Sequence, residues 1–339
     1  MNNDIDTNKT WQVHHHSFNS ILGTCPKIDL LLQIDEYPFA HEAGVFFAHT
    51  NELFITSNQF KDKTSDTKVQ ISKISSLGSS AESVRLENVE CDIIHFANGG
   101  VNYKNGILFC AQGSGTSPSG LFHMQASPPY TTKPVLTSYL GEPFNSVNDV
   151  VVHSDGSIWF TDPSYGHDQG YRPRPSLPNQ VYRYDPVTDS IRAVADGFGR
   201  PNGICFSPDQ TTVYITDTDQ VRGPWIDRAR AASIYAFDVI YRHGQPFLAN
   251  RRLFAYADSG IPDGIKCDTA GNVYSGCPDG INVWSPGGIL LGKITISGGV
   301  ANFCFGSDGQ IFALNEHRLW RVQLDPNVQG ALLATGSSI

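Results

Sequence analysis

Six side chains stand out by type and spacing: Glu42, Asn98, Asn148, Asn202, Asp263 and Asn302. Each lies 9 to 11 residues before an apolar pair: Leu53-Phe54, Ile107-Leu108, Ile158-Trp159, Val213-Tyr214, Val273-Tyr274 and Ile311-Phe312. A single Asn or Asp at the start of a strand only caps a turn. Six in phase point to a shared purpose. Two carboxylates and four carboxamides offer hard oxygen ligands, with no thiolate and no patterned imidazole. Such a set suits one divalent metal, Ca2+ ahead of Mg2+, Mn2+ or Zn2+.

The elements that must position these groups can be read from the same repeat. The apolar pairs are separated by 54, 51, 55, 60 and 38 residues, and a turn such as Asp155-Gly156 or Asp308-Gly309 precedes nearly every one. Further β-type runs at 180–185, 190–195, 233–239 and 251–257 give the third and fourth copies four strands each. Four antiparallel strands every fifty-odd residues form the unit of a β-propeller. The sequence therefore predicts an all-β, six-bladed β-propeller with the six phased residues at one mouth of its channel. The last copy lacks a fourth strand, and the run 27–34 has no blade of its own. That N-terminal strand is expected to close the last blade and remove two exposed edges. The division is a polar N-terminal extension over 1–26 and a single propeller domain over 27–339.

Around the phased residues the sequence resembles a known family. The carrying stretches are His41-Glu42-Ala43-Gly44, Phe144-Asn145-Ser146-Val147-Asn148-Asp149-Val150 through Phe160-Thr161-Asp162-Pro163, Arg200-Pro201-Asn202-Gly203 and Pro262-Asp263-Gly264. In this order they look like the gluconolactonase/regucalcin (senescence marker protein) family. The Pro- and Arg-rich run 172–180 resembles its fungal lactonohydrolase branch. The resemblance implies a six-bladed propeller whose divalent metal, commonly Ca2+, promotes lactone hydrolysis. It assigns the metal to Glu42, Asn148, Asn202 and Asp263. The family's Gly-Pro-x-Trp after the first glutamate is here Ala43-Gly44-Val45-Phe46. Asn98 and Asn302 come from the repeat alone, as channel residues. The implied reaction is attack of water on a lactone carbonyl, with Asp263 and Asp149 as the acids placed to handle its proton. The sequence does not choose between these two acids.

Other residues join the site by proximity. His41 and His95 lie close in sequence to Glu42 and Asn98, where either could shuttle a proton. The long loop 164–179 reads as a substrate lid carrying Tyr165, Tyr171, Arg172 and Arg174. His14-His15-His16 lies in the polar terminus and is expected to be solvated.

Several classes are excluded. The net charge is −9, with no Lys/Arg run, which argues against nucleic acid or anionic membrane as partner. No apolar run approaches a spanning length. The polar start carries no secretory pattern, so a cytoplasmic protein is expected. Seven scattered cysteines without C-x-x-C give neither a disulfide framework nor a zinc signature. G-x-S-x-G, dinucleotide, P-loop and H-E-x-x-H patterns are missing. The reading is a metal-dependent lactonase acting on a small-molecule lactone or ester, as a monomer or small homo-oligomer. The alternatives are a biosynthetic enzyme catalysing a non-hydrolytic cyclisation or condensation, and a metal- or ligand-binding propeller without turnover.

Overall fold

The computed structural model describes residues 10–78, 81–115, 117–223 and 225–334. Six sheets, each built outward from one inner strand, follow one another along the chain. Blade one comprises Glu42–Phe47, Glu52–Thr56, Ile71–Ser75 and Arg85–Val89. Blade two comprises Ala97–Tyr103, Gly106–Ala111, Gly120–Gln125 and Thr132–Leu136. Blade three comprises Val150–Val152, Ile158–Asp162, Gln180–Asp185 and Ser190–Ala195. Blade four ends in a long hairpin: Pro201–Phe206, Thr212–Asp217, Ser233–Arg242 and Gln245–Tyr256. Blade five comprises Ile265–Cys267, Val273–Cys277, Gly280–Trp284 and Leu290–Thr295. Blade six takes Asn302–Phe305, Gln310–Asn315 and Arg318–Gln323 from the end of the chain.

The predicted closure is present. Lys27–Gln33 pairs antiparallel with Arg318–Gln323, from Lys27 opposite Gln323 to Gln33 opposite Arg318, and so supplies the fourth strand of blade six.

Strand alternation explains why each copy centres on an apolar pair. Successive side chains point to opposite faces of a sheet, and every sheet here is sandwiched between two others. In blade three, Ile158 and Phe160 join the core shared with blade two, while Trp159 joins the core shared with blade four. Both faces are buried, so the strand reads as a continuous apolar run. Six such cores lie between neighbouring blades.

Residues 10–26 differ from the polar extension expected of them. Trp11–Val13 adds a fifth strand to blade five, against Leu290–Thr295. The short helix Phe18–Leu22 buries Phe18, Ile21 and Leu22 in the core between blades five and six. These three occupy i, i+3 and i+4, one helix face, but polar neighbours mask the pattern. Burying Phe18 alone contributes about 1.5–3 kcal/mol. His14, His15 and His16 sit between the two elements, none of them buried. Residues 1–9 of the expected extension lie outside the described residues. Among the described residues no helix is long and apolar enough to cross a membrane.

Candidate active site

The inner strands begin around a cavity of about 240 Å³. Glu42, Asn98, Asn148, Asn202 and Asp263 all line it, together with His41 and Tyr165. Asn302 stands one step behind, where its Nδ2 donates to Glu42 Oε2 at 2.6 Å. Five of the six phased residues thus reach one space, and the sixth orients the first.

Hydroxyls on the second strands hold these residues in place. Thr56 Oγ1 donates to the Asn98 carbonyl at 3.1 Å, Thr161 Oγ1 to that of Asn202 at 2.6 Å, and Thr216 Oγ1 to that of Asp263 at 3.0 Å. Each bond crosses from one blade to the next. The preceding loops are pinned as well. Asp162 accepts from the backbone N–H groups of Asn145 and Ser146, and Asp217 from those of Gly199 and Arg200.

Asp149 is turned away from the cavity, a correction to its expected part in proton handling. It occupies the position after Asn148, where the inner strands of blades two and four carry Gly99 and Gly203. A Cβ on Gly99 would lie 2.6 Å from Asp149 Oδ1, so the glycine leaves room for this carboxylate between the strands. There Oδ1 accepts from Val150 N at 2.9 Å and Oδ2 from Ile204 N at 3.2 Å, with Lys266 Nζ at 3.9 Å. Asp149 therefore supports the layer beneath the site.

Among the described residues no three of His, Cys, Asp or Glu cluster as a metal site, which disfavours a zinc-type centre. The oxygens tell a different story. Asn98 Oδ1, Asn148 Oδ1 and Asp263 Oδ1 are buried without any hydrogen-bond partner, a costly state for polar atoms. Burial, then the nearness of Asp263, pushes the Glu42 carboxyl up to about 8. Burial likewise raises Asp263 to about 6, against the pull of His41. Two carboxylates that resist ionising together, beside orphaned amide oxygens, fit a hard cation.

His41 has a partner that sequence reading missed. Its Nδ1 lies 2.7 Å from Glu316 Oε1, and Asn58 Nδ2 donates to both oxygens of Glu316 at 3.3 and 3.2 Å. Burial alone would lower the imidazole, but Glu316, Glu42 and Asp263 outweigh it and raise His41 to about 9. His95 is exposed and does not line the cavity. Its sequence neighbours Phe96 and Ala97 turn inward instead.

The loop 164–179 covers one side of the mouth. Its short helix Tyr165–Asp168 brings Tyr165 to the cavity, where the phenol accepts from Asn202 Nδ2 at 3.1 Å and bonds Thr218. Buried Arg200 ties this helix to blade four through Asp168, with Nε at 3.0 Å from the carboxylate. Gln59 Nε2 of blade one donates to Gln169 Oε1 across the opening at 2.5 Å. Tyr171 stacks on Phe96 and donates to Gln112, which lines the cavity. Arg172 is a brace: its guanidinium donates to the carbonyls of Ser117, Phe144 and Asn145. Arg174 is exposed.

The profile of the SMP-30/gluconolactonase/LRE-like region matches residues 104–312, more than half of the chain. The chain belongs to this family. Lactonohydrolase oryL of Aspergillus oryzae is 30% identical over 308 residues, which cover 84% of this chain and 67% of that protein. A gluconolactonase of Zymomonas mobilis is 31% identical over 202 residues, 56% of this chain and about half (53%) of its own length. A solved gluconolactonase of Xanthomonas campestris superposes with a TM-score of 0.73 at 26% identity, covering 93% of this chain and 95% of that one. Within the SMP-30/gluconolactonase propeller, the four residues that the resemblance assigns to a metal all line one cavity. The family motif departs after Glu42, where Ala43 and Gly44 both take positive φ (67° and 67°) and shift the register before Val45.

Proposed function

We propose that this chain is a divalent-cation-dependent lactone hydrolase, with Ca2+ as the favoured ion. The observation that carries the reading is the pair of buried carboxylates, Glu42 and Asp263, facing one cavity with the unpartnered oxygens of Asn98 and Asn148. Relatives named lactonohydrolase and gluconolactonase supply the substrate class.

Glu42, Asn148, Asn202 and Asp263 would hold the ion. When bound, such an ion supplies Lewis-acid polarisation of the lactone carbonyl. Tyr165 and the lid close one side of the cavity over the ring. His41 handles the proton. Glu316 fixes Nδ1–H, which leaves Nε2 as acceptor. With Glu42 and Asp263 neutralised, Glu316 is the remaining carboxylate that holds a proton on the imidazole. His41 Nε2 then takes a proton from water as its oxygen bonds to the carbonyl carbon. It returns that proton to the ring oxygen as the acyl C–O bond breaks, leaving a hydroxy acid. This assignment spares Asp263 from acting as ligand and base together.

The test is a pH-indicator assay on small and large lactones with chelator-stripped protein, alone and with Ca2+, Mg2+, Mn2+ or Zn2+ restored. Hydrolysis lost on stripping and regained with one ion supports the reading. A flat panel with the ion tightly bound moves the assignment to a non-hydrolytic role.

A further inference from the structure

We propose that Tyr165 is a positioning residue: through one directed chain of hydrogen bonds it turns the Asn202 carboxamide toward the ion, so that seating of the lid and grip on the ion are linked. The inference rests on the ion-dependent reading above.

The direction of the chain follows from its last member. The Arg200 carbonyl can only accept, and it takes the Thr218 backbone N–H at 3.0 Å and the Thr218 hydroxyl at 3.4 Å. Thr218 has one hydroxyl proton and spends it there. In its bond with the Tyr165 phenol it therefore accepts, and Tyr165 donates. The phenol oxygen is left as an acceptor, and Asn202 Nδ2 donates to it at 3.1 Å. A carboxamide held by its nitrogen offers its oxygen at the other end. Asn202 lines the cavity, and Oδ1 is the atom it has to give to a hard cation. Reversing the amide would set Oδ1 against a phenol oxygen with no proton to share, an unpaired contact that costs stability. The same chain keeps Tyr165 from serving as the acid for the leaving ring oxygen, because its proton already has an acceptor inside the protein.

The lid helix is tied at both ends to residues beside the proposed ligands. Tyr165, its first residue, meets Asn202. Asp168, its last, takes Nε of Arg200 at 3.0 Å, two residues before Asn202. Between them Gly166 N donates to Ser146 Oγ at 2.7 Å, two residues before Asn148. A Cβ on Gly166 would lie 2.6 Å from that hydroxyl, so the glycine lets the helix sit this close. A lid that lifts takes the phenol from Asn202 and frees the amide to turn. By linkage, the ion then holds the lid as strongly as the lid helps to hold the ion.

The test uses the full chain carrying 15N-labelled asparagine, in chelator and with Ca2+. In chelator, Tyr165→Phe and Thr218→Val should each speed hydrogen exchange of the Asn202 side-chain amide, and Thr218→Ser should restore the wild-type rate. Calorimetry should show Ca2+ bound about twofold to tenfold more weakly by the first two variants, the loss of one net hydrogen bond, and near wild type by Thr218→Ser. Thr218 is fully buried and is not among the residues lining the cavity, so its effect on the ion must pass through Tyr165. Ca2+ should also slow backbone exchange at Gln169, whose N–H closes the lid helix on the Tyr165 carbonyl at 2.9 Å, and Tyr165→Phe should remove that slowing. Unchanged Asn202 exchange in both variants, or full Ca2+ affinity in Tyr165→Phe, would overturn the coupling alone. The expected exchange pattern in a protein that binds no divalent ion would retain the Tyr165–Asn202 orientation and overturn the ion-dependent reading.

Discussion

The Thr161 hydroxyl of blade three donates to the Asn202 carbonyl of blade four at 2.6 Å, and also accepts from Asp149 N at 3.1 Å. One buried oxygen thus sets the depth of a proposed ligand and of the carboxylate beneath it. Thr161→Val keeps the shape and strands both partners. It should cost about 1–3 kcal/mol of stability and weaken Ca2+ binding, with Thr161→Ser restoring both. Denaturant unfolding and calorimetry read the two effects. A valine variant with unchanged Ca2+ affinity would remove this bond from the account of the site.

The raised carboxyls give the metal-free protein a pH dependence of definite sign. With Glu42 near 8 and Asp263 near 6, the folded chain binds more protons than the unfolded chain above about pH 4. Stability from this source is complete below that pH and is lost as pH rises through 6 and then 8. In chelator the Tm should fall across that window, and saturating Ca2+ should flatten the slope. Parallel curves with and without the ion would mean that it binds elsewhere.

In the proposed mechanism Glu316 acts on the reaction through His41. Glu316→Gln should lower kcat by roughly tenfold to a hundredfold and hold Ca2+ affinity near wild type. In NMR titrations of the wild type, Ca2+ should bring the His41 imidazole down from about 9, since it cancels the pull of Glu42 and Asp263. An unmoved resonance would take His41 out of proton transfer.

The two acids separate cleanly. Asp263→Asn removes a cavity carboxylate and should abolish Ca2+ binding and turnover together. Asp149→Asn leaves the cavity lining intact and should cost mainly stability, because Lys266 loses its charge partner. The reverse pattern, with the ion kept in Asp263→Asn and turnover lost only in Asp149→Asn, would reinstate Asp149 as the base.

Much of this architecture was legible because each blade repeats one physical solution. Apolar pairs buried on both faces mark the second strands, and counting back from them reaches the channel. Other parts carry no such phase. Glu316 meets His41 from 275 residues away, and nothing local announces it. The direction of Asp149 follows from a glycine in a neighbouring blade, which one strand's alternation cannot foretell. Thr56, Thr161 and Thr216 could have been found. Each stands two residues after its apolar pair, a second in-phase signal overshadowed by the first. Arg172 and His95 were named for their chemistry, yet one is spent on backbone carbonyls and the other faces outward.

The strand that closes blade six gives the site a place in time. Glu42 and His41 belong to the first blade, whereas their partners Asn302 and Glu316 belong to the last. Both contacts cross from blade one to blade six, the blade that is completed only when Lys27–Gln33 pairs with Arg318–Gln323. A chain emerging from the ribosome makes blades one to five before either partner exists, and contacts this distant in sequence form late. Capture of the proposed ion would therefore report completion of the ring, and a chain cut short before its sixth blade would carry Glu42 and His41 without Asn302 and Glu316 to hold them.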